Sequence, residues 1–366
     1  MQQYLNLLQD IIDNGFDHED RTGSGRRSVY CRSLRFNLEE GFPIVTTRKI
    51  HTKSFIEELL WHISGSEDTS YLKYKGVKIW NKWEVEEKHV DDFIANIVSE
   101  DLKDFPHLKE FISERYLNRV GKIYGPNWRH IVKDVSPFVP IKEPLLRKSI
   151  IEDIEKTYDL HSDDPEFTTT SKEDFIKFNG AKIIDQLLLV INSIKKKPFS
   201  ARHVITSWIP QNIPDENYNP QENVLMNNGA LAPCPTFMQF FVTPIPKERL
   251  DFYPMGIRNK LSMMLYIRSS DGPVGLCFNI GQYALFLSMI AQVTNMSPYE
   301  FIVNTGDTHI YLNQIDLVKE QLKREPKKLS KLILDPSVKD IDDFKSEHIK
   351  ILDYQHHEAI EYPVSA

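Results

Sequence analysis

The run KLSMMLYIRSSDGPVGLCFNIGQYALFLSMIAQVTN, residues 260–295, joins two kinds of element across one turn. Residues 260–270 read as a strand, and DGPVG interrupts them with two glycines and a proline. Residues 280–295 are apolar on nearly every side, which predicts a buried helix and not one lying on a surface. Such a helix must be covered all round, and a chain of 366 residues is long enough to bury a core of that size.

Outward from this run, FIVNTGDTHIYLN (301–313) reads as a strand with a turn and QIDLVKEQLKRE (314–325) as a surface helix ended by proline. Upstream, ALAPCPTFMQFF (230–241) places Cys234 between two prolines ahead of a strand-like run. RHVITSWIP (202–210) reads as a buried strand, DENYNPQENVLMNNG (215–229) and TPIPKERLDFYPMGIRN (243–259) as loops, and AKIIDQLLLVINSIKKK (181–197) as an amphipathic helix. At the N-terminus a helix over 2–14, the polar turn DRTGSGRR, a strand over 28–38 and a helix over 52–64 follow one another. Residues 85–180 change texture to charged helical segments and loops, and are expected to form a small inserted subdomain in a chain whose length suits one large α/β domain or two smaller ones. No internal repeat is present, which excludes a solenoid.

The net charge of −7 argues against bulk affinity for a nucleic acid polymer and leaves room for a local basic pocket that takes one small anion. No stretch of about 18 residues is apolar throughout, and the first twenty residues are an acidic amphipathic helix, not a leader, so a soluble cytoplasmic protein is expected. The three cysteines, Cys31, Cys234 and Cys277, are unclustered and read as reduced thiols, each expected to be buried and inert unless a partner is found. His356 and His357 lack the spacing of a metal site and read as solvated, so no metal is expected.

Pro235 biases Cys234 toward an extended backbone, which presents the thiol at the mouth of the strand that follows. An ordinary thiol titrates at about 8.5 and needs a cationic neighbour to act as a nucleophile at neutral pH. Arg268 and Ser269 offer guanidinium and hydroxyl donors suited to a phosphate or a carboxylate. Asn279 offers an amide able both to donate and to accept, as a pyrimidine edge requires, although a helix N-cap is an equal reading for it.

The stretches DRTGSG, FPIVTTRKIHTKSFIEELLW, GVKIWNKW, YGPNWRH, LAPCP, RSSDGPVGLCFNI, GDTHIYLN and the final YPVSA together resemble the thymidylate synthase family, including its phage hydroxymethylase relatives. The resemblance runs in family order from residue 20 to the C-terminus. It implies an α/β (α+β) fold around a large bent mixed sheet packed with helices, and a homodimer formed across the sheet face. It implies further that Cys234 attacks C6 of dUMP, so that C5 accepts a methylene from 5,10-methylenetetrahydrofolate. Arg21, Arg268, Ser269 and Gln239 match the nucleotide side, with Arg202 arriving from the second subunit. Asn279 matches the residue holding the uracil edge, and His309 with Tyr311 those holding the sugar 3′-hydroxyl. Glu58 and Tyr124 match the groups that handle protons. His51, Trp80, Trp83, Leu231, Asp271, Gly275 and Phe278 match the reduced-folate side, with Ala366 ending a tail that closes over it.

The chain departs from the family pattern at Pro235, Ala201, Ile209 and Cys277, and in extra loops at about 213–229 and 244–259. These departures bear on substrate affinity and on the last step, where hydride gives dTMP and dihydrofolate while water gives 5-hydroxymethyl-dUMP. Retained Trp80, Leu231 and the tail lean toward hydride. Pro235 and the added loops resemble a divergent phage-type member, which would place the protein in the cytoplasm of an infected host. An inactive nucleotide- or folate-binding regulator is a third reading, disfavoured by the presence of Cys234, Glu58, Tyr124 and Asn279 together.

Overall fold

The computed structural model describes residues 1–19, 23–96, 98, 107–133 and 182–364. Its main sheet is built, among the described residues, from six strands: β1 (Phe16–His18), β2 (Arg26–Asn37), β3 (Val204–Thr206), β4 (Pro235–Pro244), β5 (Asn259–Asp271) and β6 (Ser297–Tyr311). They lie in the order β1-β2-β6-β5-β4-β3, with β5 and β6 parallel and every other pair antiparallel. The helices that matter for the site are α1 (Gln2–Asn14), α2 (Thr52–Ser64), α3 (Gly125–Arg129), α4 (Gln186–Lys196), α5 (Cys277–Val293) and α6 (Ile315–Leu322).

Two parallel neighbours cannot be joined by a tight turn, so the chain crosses from β5 to β6 through α5. That helix is the expected one: of its residues only Phe278, Asn279 and Gln292 escape burial. Residues 272–293 are long and apolar enough to cross a membrane by length and composition, but 78% of their most apolar window is buried inside the fold. The apolarity therefore serves the core. The strands β5 and β6 pack on one side of α5, and α2 packs on another, where Gly281 lets the Phe55 ring approach to a distance a side chain would crowd. Helix α1 joins the same core through Tyr4, Leu5, Leu7, Leu8 and Ile11, the spacing of one helical face.

A second, smaller core lies beside the first. Trp61, Trp80, Val90, Ile112 and Ile123 meet Val224 and Leu225 there, which ties the described part of residues 85–133 to α2 and to the 213–229 loop.

Several local readings are corrected. The described residues 182–197 are not one helix: Asp185 accepts from the Leu188 N–H and starts α4, which leaves Lys182–Ile184 to pair antiparallel with Ile131–Lys133. The 215–229 segment contains a helix, Pro220–Leu225, because Asn219 and Glu222 form a reciprocal capping box with proline in the first turn. The strand expected over 202–210 shortens to Val204–Thr206, since Pro210 opens a 3₁₀ turn. Asn279 is no N-cap: it is the third residue of α5, and Asp271 caps the preceding turn through Val274 N. Of the cysteines only Cys277 is buried; Cys31 is exposed within β2 with φ 58°, and Cys234 is half-buried. His356 and His357 are half-buried, and the His357 ring lies 2.8 Å from the Glu325 carbonyl oxygen.

The Phe286 ring is fully buried on α5, stacked on Trp128 at 5.3 Å and edge-on to Phe240. Phe286→Ala is expected to cost about 3–5 kcal/mol of stability, read as a fall in the urea midpoint at unchanged slope.

Candidate active site

The carboxyl ends of β5 and β6, the start of β4 and the first turns of α5 converge on one region, as the crossover geometry dictates. Cys234 stands one residue before β4, where the β4–β5 register shifts between Pro235 and Phe237. Its backbone is held on both sides: the Arg268 N–H donates to the Cys234 carbonyl (2.7 Å), and the Cys234 N–H donates to Tyr124 Oη (3.1 Å). The thiol is thus fixed without its sulfur being engaged.

Arg268 reaches back along the same loop, its Nε donating to the Pro233 carbonyl and Nη2 to the Ala232 carbonyl, both at 3.3 Å, with Trp208 beneath the guanidinium at 5.5 Å. On β6, Gly306 makes this approach possible, since a Cβ there would lie 2.6 Å from the Arg268 carbonyl oxygen. Burial pushes the Cys234 thiol up; the Arg268 charge opposes this and Asp307 adds to it, so the free thiol stays protonated at neutral pH.

Glu58 projects from the middle of α2. Trp80 Nε1 donates to one carboxylate oxygen (2.8 Å) and Gln282 Nε2 to the other (2.9 Å). Burial outweighs both donors and lifts the carboxyl to about 7, where a group can give and take a proton near neutrality. Tyr124, at the head of α3, lies between these groups: burial, with Cys234 and Glu58 nearby, pushes its hydroxyl well above its ordinary range. Its ring packs edge-on to Trp80 at 6.3 Å, and Trp80 to Trp83 at 5.7 Å, forming an aromatic wall. Leu231 packs against the same smaller core.

Asp271 closes the opposite side. It accepts from Val274 N (3.0 Å) and from Gln314 (3.3 Å), and Gln314 also donates to the Pro363 carbonyl (2.9 Å), which ties the tail to the site. Burial pushes the Asp271 carboxyl up against these donors. A Cβ at Gly275 would meet Asp271 Cβ at 3.9 Å, an ordinary contact, and Phe278 and Asn279 follow in the first turn of α5. His309 pairs in register with Asp271, and its ring meets Tyr311 edge-on at 5.1 Å. Ser269 lies half-buried two residues before Asp271, opposite Asp307.

Other expected site residues stand apart. His51 is exposed at the start of α2, bonded to Ser54. Gln239 lies within β4 and donates to the Ala201 carbonyl (3.2 Å), next to the exposed Arg202. Arg21 and Ala366 lie outside the described residues.

Two residues went unread in the sequence. Gln282 grips Glu58, and its signal is a polar residue three after Asn279, one turn along the same face of a mostly apolar helix. Arg48 is buried, donates to the Pro273 carbonyl (2.7 Å), lies 2.9 Å from Cys277 Sγ and stacks over the Tyr362 ring of the tail at 5.2 Å. Nothing local marked it.

A thiol held at a strand mouth, a carboxyl poised near neutrality and a tyrosine between them are the equipment of an enzyme that works by nucleophilic catalysis. Comparison with known proteins narrows the class. The family model for thymidylate synthase matches residues 2–366. A thymidylate synthase of Mycoplasma mobile is 36% identical over the whole of both chains. That of Aster yellows witches'-broom phytoplasma is 35% identical over 97% of this chain and 96% of its own, and that of Francisella philomiragia 34% identical over the whole of both. The chain belongs to the thymidylate synthase family.

The Glu58 shift carries a stability signature. Its folded value of about 7 lies above the ordinary 4.5, so its contribution is fully present below 4.5 and is lost as pH rises through 7. Glu58→Gln should therefore gain thermal stability relative to wild type on going from about pH 4 to about pH 8. Gln282→Leu, which strips one donor from the carboxylate, should move the loss to higher pH. Melting temperatures of the three proteins across that range check both signs.

Proposed function

We propose that the chain is a thymidylate synthase that converts dUMP and 5,10-methylenetetrahydrofolate to dTMP and dihydrofolate. The observation that carries this reading is the double backbone grip on Cys234 by Tyr124 and Arg268, with Glu58 held near neutrality beside them. In a member of this family over its full length, that grip aims a thiol at a substrate carbon. Cys234 Sγ adds to C6 of the uracil, C5 becomes nucleophilic, and the thiol proton must leave as the bond forms. Tyr124 assists removal of the C5 proton, while Glu58 takes and returns protons around O4. Asn279 reads the uracil edge, and the asparagine favours uracil over cytosine.

Arg268, Ser269 and Arg21 take the 5′-phosphate, and Gln239 is assigned to the nucleotide side by its match to the family pattern. Trp80, Trp83, Leu231, Asp271, Gly275 and Phe278 line the folate side, where the aromatic wall suits a flat ring system, and His51 is assigned to it by its match to the family pattern. The folate supplies the one-carbon unit and the hydride. No observation favours capture by water, and the relatives compared are named as synthases. The same reading takes residues 1–366 as one catalytic domain carrying a small subdomain at 85–180.

Incubation with 5-fluoro-dUMP and the folate is expected to give a covalent ternary adduct on Cys234 by mass spectrometry. Cys234→Ala should abolish it and lower turnover by roughly a thousandfold or more. A hydroxymethyl product without dihydrofolate would refute the synthase reading.

We infer also that the enzyme is a homodimer in which Arg202, exposed on this chain, serves the partner's site. Mixing inactive Cys234→Ala protein with inactive Arg202→Ala protein should restore activity that neither has alone. Failure of the mixture to recover, with subunit exchange verified by native mass spectrometry, would count against the shared site.

A further inference from the structure

Arg26 opens β2, and Asp307 and His309 lie near the end of β6. Asp307 Oδ2 receives Arg26 Nη1 at 3.1 Å and faces His309 Nδ1 at 3.4 Å. The Ser28 hydroxyl, 2.8 Å from His18 Nε2, bonds to the same carboxylate. His309 is 3% exposed, and strand pairing sets it opposite Ser28 on one side and Asp271 on the other. Among the described residues the buried His309 Nδ1 makes no hydrogen bond within normal geometry, and the Asp307 carboxylate at 3.4 Å is the charged group it faces. Burial would push the Asp307 carboxyl up, but His309, Ser28 and Arg26 together hold it below its ordinary range.

A neutral imidazole has one donor and one acceptor nitrogen, and the bond made by one fixes the role of the other. An ionised carboxylate can only accept. Facing Asp307, Nδ1 has to carry the hydrogen. We propose that Asp307, held by Arg26, is a positioning residue that fixes His309 as the Nδ1–H tautomer and leaves Nε2 as the acceptor for the sugar hydroxyl of the bound nucleotide. This rests on the reading of His309 as a nucleotide-binding residue. The consequence is selectivity for a nucleotide that can donate at that position, since a site built to pair with a hydroxyl discriminates against an analogue lacking it.

The test uses the full chain labelled with ¹⁵N-histidine, the His309 signals being identified by their loss in His309→Gln. Wild type should show protonated Nδ1 and bare Nε2, and Asp307→Asn should lose that pattern. In the same variant the KM for dUMP should rise about tenfold, with kcat little changed and the KM for 2′,3′-dideoxyuridine monophosphate unmoved. Arg26→Gln, the second variant should the first fold poorly, should shift the same readouts in the same direction. A protonated Nε2 in wild type, or equal KM increases for both nucleotides, overturns the proposal. If His309→Gln still tells the two nucleotides apart, the assignment of His309 to the sugar is wrong, and the acceptor role falls even where the tautomer is as expected.

Discussion

The structure depends on the burial of one helix that has no polar face. Residues 280–293 cannot lie on a surface, so the chain has to lay α5 across β5 and β6, and that crossover makes those two strands parallel in an otherwise antiparallel sheet. Parallel strands end on the same side, and the start of the crossover helix comes back to that side too. Arg268 to Asp271, Asp307 to Tyr311, and Asn279 with Gln282 are therefore neighbours because of a packing constraint, before any chemistry is considered. The β4 strand, paired antiparallel to β5, brings its first residues and Cys234 to the same edge.

The electrostatics of that edge follow from the same burial. Glu58, Tyr124, Cys234 and Asp271 are all pushed toward their neutral forms, and in each case desolvation is the largest cause. Left alone, the site is a poorly charged cleft with Arg268 folded against its own loop. Donors that would stabilise charge, Trp80 and Gln282 on Glu58 and Val274 on Asp271, moderate the shifts without cancelling them. This balance keeps Glu58 near the pH at which proton transfer in either direction costs least.

Much of this was legible in the sequence where one physical signal dominated. The buried helix, the strands flanking it and the extended cysteine between prolines are each set by local composition. The capping box at Asn219–Glu222 was equally visible, but proline and asparagine there were taken as turn residues, although the same residues start a helix when a glutamate follows at the third position. Lys182–Ile184 looked helical by its apolar spacing and became a strand because Asp185 caps the helix and the Ile131–Lys133 edge lies beside it. Arg48 could not be read at all. Its role arises from Pro273, Cys277 and Tyr362, which approach it from two distant parts of the chain.

Of the departures from the family pattern, Pro235 and Cys277 are buried in packing positions, while Ala201 is exposed beside Arg202. Cys277 lies at the head of α5, where its sulfur meets Arg48 and the Pro273 and Val274 carbonyls, so it still starts the helix that carries Asn279 and Gln282. Pro235 is buried at the register shift and has no N–H to lose from the ladder. The 213–229 loop is anchored by Asn223 and by Val224 and Leu225 in the smaller core beside Trp80. The 244–259 loop is pinned where Tyr253 donates to Glu39, whose carboxylate also pairs with Lys260, itself over the Tyr299 ring at 4.0 Å. Pro235, Cys277 and the two loops are each absorbed by contacts of their own, and the grip on Cys234 uses the Arg268 N–H and the Tyr124 hydroxyl, which none of them alters.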